Sequence, residues 1–268
     1  MSGRRRVALA LEYDGRGFAG WQTQPDGRGV QDALESALSA IADEPIGTVC
    51  AGRTDSGVHA TAQVVHFDTG AVRPTSAWVR GVNAHLPRAI AVLWAHEVAA
   101  DFHARFAARG RHYRYLLMNR PVRPGVLAGR VGWYHRPLDA GRMRRAAQCL
   151  LGRQDFSAFR ASACQAKSPV REMRRIAIEA RDDMISFDFE ADAFLHHMIR
   201  NLVGALVYVG SGAWPVERLA EVLAGRDRAQ AAPTFAADGL YLCGVVYAPE
   251  WSLPGDGRII CRPETHLG

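Results

Sequence analysis

Two kinds of apolar spacing alternate through the first hundred residues, and their order leaves few folds open. Val7 to Tyr13 sets large apolar side chains against smaller or polar ones, the period of a strand. Val30, Leu34, Leu38 and Ile41 recur at helical spacing and predict an amphipathic helix that packs on the sheet. A short apolar run over 46–51, an alternating run over 63–68, a helix over 76–86 stopped by Pro87 and a strand over 90–98 complete the series. The order strand, helix, strand, strand, helix, strand predicts an α+β domain with a largely antiparallel sheet.

The second half repeats this sandwich with longer insertions. Residues 111–119 read as a strand, with Arg111, Tyr113 and Tyr115 on one face and His112, Arg114 and Leu116 on the other. A basic helix over 139–151 follows, then a hairpin of 171–180 and 184–190 turning at Asp182 and Asp183. Helices near 193–209 and 215–224 and a last strand over 240–247 complete the half. With 268 residues the chain has room for two domains of ordinary size. The expected division is 1–104, 105–248 and a tail over 249–268 that carries few structural signals and is expected to be loose or to wrap a neighbour. No sequence repeat relates the halves.

Composition removes several classes of function. The five cysteines (Cys50, Cys149, Cys164, Cys243, Cys261) are odd in number and widely spaced, with no C-x-x-C, so neither a disulfide framework nor a zinc site is expected. The apolar run behind M-S-G-R-R-R is too short for a signal peptide, and His196, His197 and Arg200 interrupt the most apolar later segment. A soluble, cytoplasmic protein with no membrane partner is expected. A net charge of +6 and a pI of about 9.4 suggest a polyanionic partner. Only Lys167 among the 33 basic residues is a lysine, so the distribution informs more than the total. Residues 105–175 hold seventeen Arg and Lys against three acids, a strip suited to tracking phosphates.

The stretch most suited to chemistry is C-A-G-R-T-D-S-G-V-H-A, Cys50 to Ala60, a loop between two strand-like runs. Gly52 and Gly57 bracket four polar side chains, and Asp55 is the one able to act as an ionised carboxylate, with Arg53 two positions away to hold its charge. A plain turn, with Thr54 or Asp55 bonding nearby amides, is the competing reading of such a loop. Gly15 to Gly20 spells G-x-G-x-x-G, but Pro25, Gly27 and Gly29 follow where a dinucleotide site needs a helix to open, so no nucleotide cofactor is expected. His196 and His197 are adjacent, no third ligand has metal spacing, and no metal is expected. His59 and His66 are read as structural or RNA-facing.

The string G-R-T-D-x-G-V-H-A resembles the signature of tRNA pseudouridine synthases of the TruA type. The resemblance continues collinearly in E-Y-D-G-R-G-F-A-G-W-Q (Glu12 to Gln22), D-F-H-A-R-F (Asp101 to Phe106), R-H-Y-R-Y (Arg111 to Tyr115), H-H-M-I-R-N (His196 to Asn201) and G-L-Y-L (Gly239 to Leu242). It implies the pseudouridine synthase fold, two similar α+β domains whose mostly antiparallel sheets join beneath a basic cleft. It also implies a cofactor-independent isomerase that converts uridine to pseudouridine at positions 38, 39 and 40 of tRNA, works as a homodimer and needs no small-molecule cofactor. Carried onto this chain, Asp55 is the catalytic residue, Tyr113 contacts the flipped base and Arg200 pairs with the aspartate. Arg53 joins Tyr113 and Arg200 as a substrate-binding candidate. Helical spacing from His196 would put Arg200 on a shared face with it, beside a buried stripe of Leu195, Ile199, Leu202 and Leu206. Two other classes compete: an RNA-binding module or chaperone without catalysis, which makes no demand on Asp55, and an aspartate-dependent hydrolase, for which no motif supplies the second carboxylate.

Overall fold

The structure, a computed structural model, describes residues 3–255 and the backbone of 258–260. Its first elements are strand β1 (Arg5–Tyr13), helix α1 (Val30–Ala42), β2 (Val49–Cys50) and β3 (His59–Thr69). A π-helical turn (Ala77–Gly81) then runs into helix α2 (Val82–His85), followed by β4 (Ile90–Val98), β5 (Gly110–Asn119) and β6 (Gly132–Tyr134). Next come α3 (Ala140–Ala147), β7 (Gly152–Asp155), the hairpin β8 (Val170–Arg181) and β9 (Met184–Ala191), and helices α4 (Met198–Gly210) and α5 (Arg218–Gly225). Strands β10 (Leu240–Val246) and β11 (Arg258–Ile260) close the series, and the fold is of the α+β class.

The chain divides into two compact units, one formed by the residues up to Gly110 together with those from Tyr241 on, the other by Arg111–Leu240. This differs from the division expected at 104 and 248. The reason is a non-local pairing: β10 runs parallel to β3, with Tyr241 opposite His59 and Leu242 opposite Ala60, so β10 belongs to the first unit.

In the first unit β1 lies between β3 and β4 and is antiparallel to both, with Leu9 opposite Val65 on one side and Ala95 on the other. Helix α1 begins at Gly29, where the Asp32 carboxylate accepts the Gly29 N–H at 2.8 Å and the Gln24 N–H at 3.2 Å. It buries Val30, Leu34 and Leu38 completely. The helical segments cover the face of β3 that carries Phe67, whose ring meets Trp78 edge-on at 5.2 Å. Successive residues of a strand point to opposite faces, so His66 faces the other way. There its Nδ1 accepts the N–H of Ala104 at 3.1 Å, which lays the connector after β4 across that face. Phe102, Ala104, Val64, Val245, Tyr247 and Leu253 form the apolar cluster beneath it. Leu253 and Trp251, which meets Phe102 edge-on at 5.2 Å, show that the described start of the tail docks on the first unit instead of running loose. Strand β11 adds to it by pairing antiparallel with β10. The rest of the expected tail, 256–257 and 261–268, lies outside the described residues.

In the second unit β9 is flanked antiparallel by β5 and β8, β7 extends the edge of β8, and β6 pairs in parallel with β5. The turn falls at Asp182 as expected, with φ 51°. Helix α4 is the core element, with Met198, Leu202, Val203, Ala205, Leu206 and Val209 all fully buried. It starts later than the apolar run suggested. His197 adopts φ 62° and the helix opens only at Met198. The expected shared helical face of His196 and Arg200 is therefore absent, because His196 precedes the helix. No described helix is long and apolar enough to cross a membrane.

Candidate active site

The loop from Gly52 to Val58 is fixed along almost its whole length. Gln63 Nε2 on β3 donates to the Gly52 carbonyl at 2.6 Å. The buried Thr54 shares a hydrogen bond of 2.8 Å with the Tyr13 hydroxyl at the end of β1, and its carbonyl accepts the Trp21 N–H at 3.0 Å. Ser56 Oγ donates to the Phe18 carbonyl at 3.2 Å, and the Val58 N–H returns to the Asp55 carbonyl at 3.1 Å. Gly57 supplies a left-handed turn at φ 78°, and Gly52 lies outside that region. Asp55 sits half-buried between these anchors.

The glycine-rich string after β1 is what holds the loop in place. A Cβ added at Gly15 would stand 2.2 Å from the Val58 carbonyl oxygen, and one at Gly20 would stand 2.7 Å from the Thr54 oxygen. Gly20 also has φ 98°, open only to glycine at low cost. These glycines bring two backbones together where a nucleotide fingerprint would bring a backbone to a pyrophosphate. Asp14 steadies the same turn. Partial burial opposes its charge, but hydrogen bonds from Arg16 hold its carboxyl below the ordinary range.

The neighbouring polar groups are structural. His59 is buried, accepts the Gly15 N–H at its Nδ1 (3.1 Å) and stacks on Tyr241 with ring centroids 4.6 Å apart. At the far end of β3, His66 is pushed down to about 4 by burial and by Arg6 and His103, so it is neutral at physiological pH. Burial pushes the Cys50 thiol, just before the loop, up to about 12, which removes it as a nucleophile. Arg53, two positions before Asp55, is exposed.

In the second unit Tyr113 is 8% exposed, and its ring lies edge-on to Phe194 at 5.1 Å. Arg200 is half-buried on the first turn of α4, where Nε donates to the Phe235 carbonyl at 2.9 Å and its own carbonyl accepts the Phe235 N–H. Asn201 beside it is fully buried, donating to the Phe159 carbonyl and accepting from Thr234 and Arg228. The basic strip is less uniform than its composition suggested. Arg114 is buried against Asp188, while Arg142, Arg144 and Arg160 bond backbone carbonyls. Arg123, Arg136, Arg145, Arg153, Lys167 and Arg175 remain exposed.

A family model described as tRNA pseudouridine synthase matches residues 9–107 and 146–248. The chain belongs to that family. Curated relatives named tRNA pseudouridine synthase A agree. The one from Thiobacillus denitrificans is 64% identical over 93% of this chain and 96% of its own length. The relative from Aromatoleum aromaticum is 62% identical over 96% and 98%, and that from Dechloromonas aromatica 60% over 93% and 95%. As a tRNA pseudouridine synthase the chain is an enzyme, an isomerase of tRNA uridine, which decides against the binding-module and hydrolase readings. Asp55, Arg53 and Arg200 fall inside the matched stretches and Tyr113 falls between them. Sequence reasoning singled out the loop but missed its supports, Tyr13, Thr54, Gly15 and Gly20, and the ring of Phe194 against Tyr113. The sequence signal of Tyr13, Gly15 and Gly20 is the block from Glu12 to Gln22, in which the glycines read at first as a cofactor motif.

Proposed function

We propose that this chain isomerises uridine to pseudouridine at positions 38, 39 and 40, in and beside the anticodon loop of tRNA, as a cytoplasmic homodimer with Asp55 as its catalytic residue. The observation that carries the reading is the construction of the Asp55 loop, in which one carboxylate is offered from a backbone pinned by Tyr13, Trp21 and Phe18. A rigid support matters because the reacting groups must be held within a fraction of an ångström.

The chemistry asks for little else. The bond from C1′ to N1 breaks, the uracil turns, and a bond from C1′ to C5 forms. The C5 proton is lost and N1 gains one, so atoms and electrons balance without a redox partner. One carboxylate next to the ribose or the ring serves as nucleophile or base. A stacked base is out of its reach, so the nucleotide must turn out of the helix. Tyr113, oriented by Phe194, offers a flat ring for that base. Arg200, oriented by the Phe235 carbonyl, supplies positive charge for an ionised carboxylate at work, and Arg53 with the exposed arginines of 105–175 meets phosphates. Four free cysteines among the described residues support a reducing compartment.

The test is to incubate the protein with unmodified tRNA and map pseudouridine by chemical adduct and primer stop. Stops at 38, 39 and 40 are expected, with none from Asp55→Ala. Stops only at other positions would contradict the assignment of sites.

A further inference from the structure

Phe106 is 75% exposed, on the connector that lies over the face of β3 opposite the helices. A lone exposed ring is ordinary on a protein surface. This one is built in. It stacks on His103 with centroids 4.2 Å apart and planes 29° from parallel. His103 in turn lies 4.9 Å from His66 on the buried strand. The Nδ1 of His103 accepts the N–H groups of both Arg105 and Phe106 at 3.2 Å, which leaves the ring proton on Nε2 and locks the stack against its own backbone. The Ala107 N–H returns to the His103 carbonyl at 2.8 Å. Three rings thus run outward from the sheet in a fixed arrangement, so a partner that stacks on the outermost one costs little ordering. Partial burial, with Arg6 and Arg105 nearby, keeps His103 below its ordinary value, so the platform is uncharged at neutral pH. Positive charge stands beside it: the Arg105 guanidinium carbon is 5.7 Å from the Phe106 centroid.

An exposed, pre-oriented aromatic ring flanked by arginine suits an unstacked base and its phosphate. We propose that Phe106, seated on His103 and flanked by Arg105, stacks an unpaired nucleobase of the tRNA other than the reacting uridine. Ala104, next to this stack, bonds His66, which stands opposite Val49 on β2. Such a contact adds to tRNA affinity through a ring that takes no part in the bond changes at the uridine. The proposal rests on tRNA being the substrate.

The experiment compares tRNA binding and steady-state turnover for the full chain and for Phe106→Ala, Phe106→Leu and Phe106→Tyr. The ring is mostly exposed, so these variants keep the fold, and a thermal melt checks it. Alanine and leucine should weaken tRNA binding and raise KM about tenfold, the scale of one lost base stack. At saturating tRNA kcat should stay within about twofold, and tyrosine should bind like the wild type. Wild-type affinity in Phe106→Ala, or rescue by leucine as good as by tyrosine, would overturn the stack. A change in sedimentation of Phe106→Ala would make the ring a protein contact and also overturn it. If the wild type neither binds nor modifies tRNA, the functional reading itself fails, a result distinct from an inert Phe106.

Discussion

The Asp55 loop of the first unit is held by neutral groups and by the absence of side chains, whereas the centre of the second unit is held by charge. Around the loop, the Tyr13 hydroxyl, the backbone hydrogen bonds from Trp21 to Thr54 and from Val58 to Asp55, and the bare Cα atoms of Gly15 and Gly20 make the frame that carries the carboxylate. In the other unit Arg114 grips Asp188 with bonds of 2.8 and 2.6 Å, and His112 adds a third at 2.8 Å, all three side chains buried. Burial alone would drive the Asp188 carboxyl upward, and these bonds from His112 and Arg114 more than reverse it, to about 2. Nδ1 of His112 is buried without a partner, a residual cost of the arrangement. The contrast separates two kinds of fragility. A frame built on missing atoms fails when a carbon is added, and one built on paired charges fails when a partner is taken away.

The largest effect on stability should come from the charged centre. Arg114→Ala leaves Asp188 buried beside His112 alone, and urea unfolding should show a loss of about 3–5 kcal/mol. A loss near zero would mean that the pair is dispensable and the contrast false.

Gly15→Ala should be milder on stability and harsher on turnover. Its new carbon meets backbone atoms of Val58, which cannot swing away as a side chain would. A cost of about 1–3 kcal/mol is expected from overpacking. Displacing the loop by a fraction of an ångström to an ångström should lower kcat by about 100-fold, with tRNA affinity retained. Wild-type kcat in this variant would show that the loop is not held from Gly15.

The smallest effect at neutral pH, growing only in acid, concerns His66. Its folded value of about 4 lies below the ordinary 6.5. The stability it contributes is complete above about pH 6.5 and is lost as pH falls towards 4. Asp188, folded at about 2 against an ordinary 3.8, begins to lose its contribution only below about pH 4. Amide exchange between pH 6.5 and 4 should therefore quicken in β3 before β9, after correction for intrinsic rates. The reverse order would contradict the assignment.

These contrasts also mark what a sequence discloses. Local periodicity placed β4 at Ile90–Val98 and started α1 at Val30, because both are amphipathic over their whole length. Strands β6 and β7, three and four residues long, passed unseen because so short a stretch has no period to read. The start of α4 was misplaced because apolar spacing runs through His197, whose left-handed backbone has no signal in a histidine. Long-range pairing moved β10 into the first unit, a fact outside any local window. Of the site, the Asp55 loop was legible as a motif. The reason for Gly15 and Gly20 was not, since the backbone each one approaches lies some thirty to forty residues away along the chain. The arginine-rich strip taught the same lesson from the other side: charge counted along a chain does not tell which guanidiniums are already committed to carbonyls, as those of Arg142 and Arg144 are.

The most direct test is single-turnover kinetics of Asp55→Asn beside the wild type, using tRNA carrying tritium at uridine C5 and following tritium release together with tRNA affinity. The amide keeps the shape of the side chain and removes its ability to act as nucleophile or base. The account predicts tRNA binding within a few-fold of wild type and release slowed by at least about 1,000-fold. Release at a rate near wild type would contradict it.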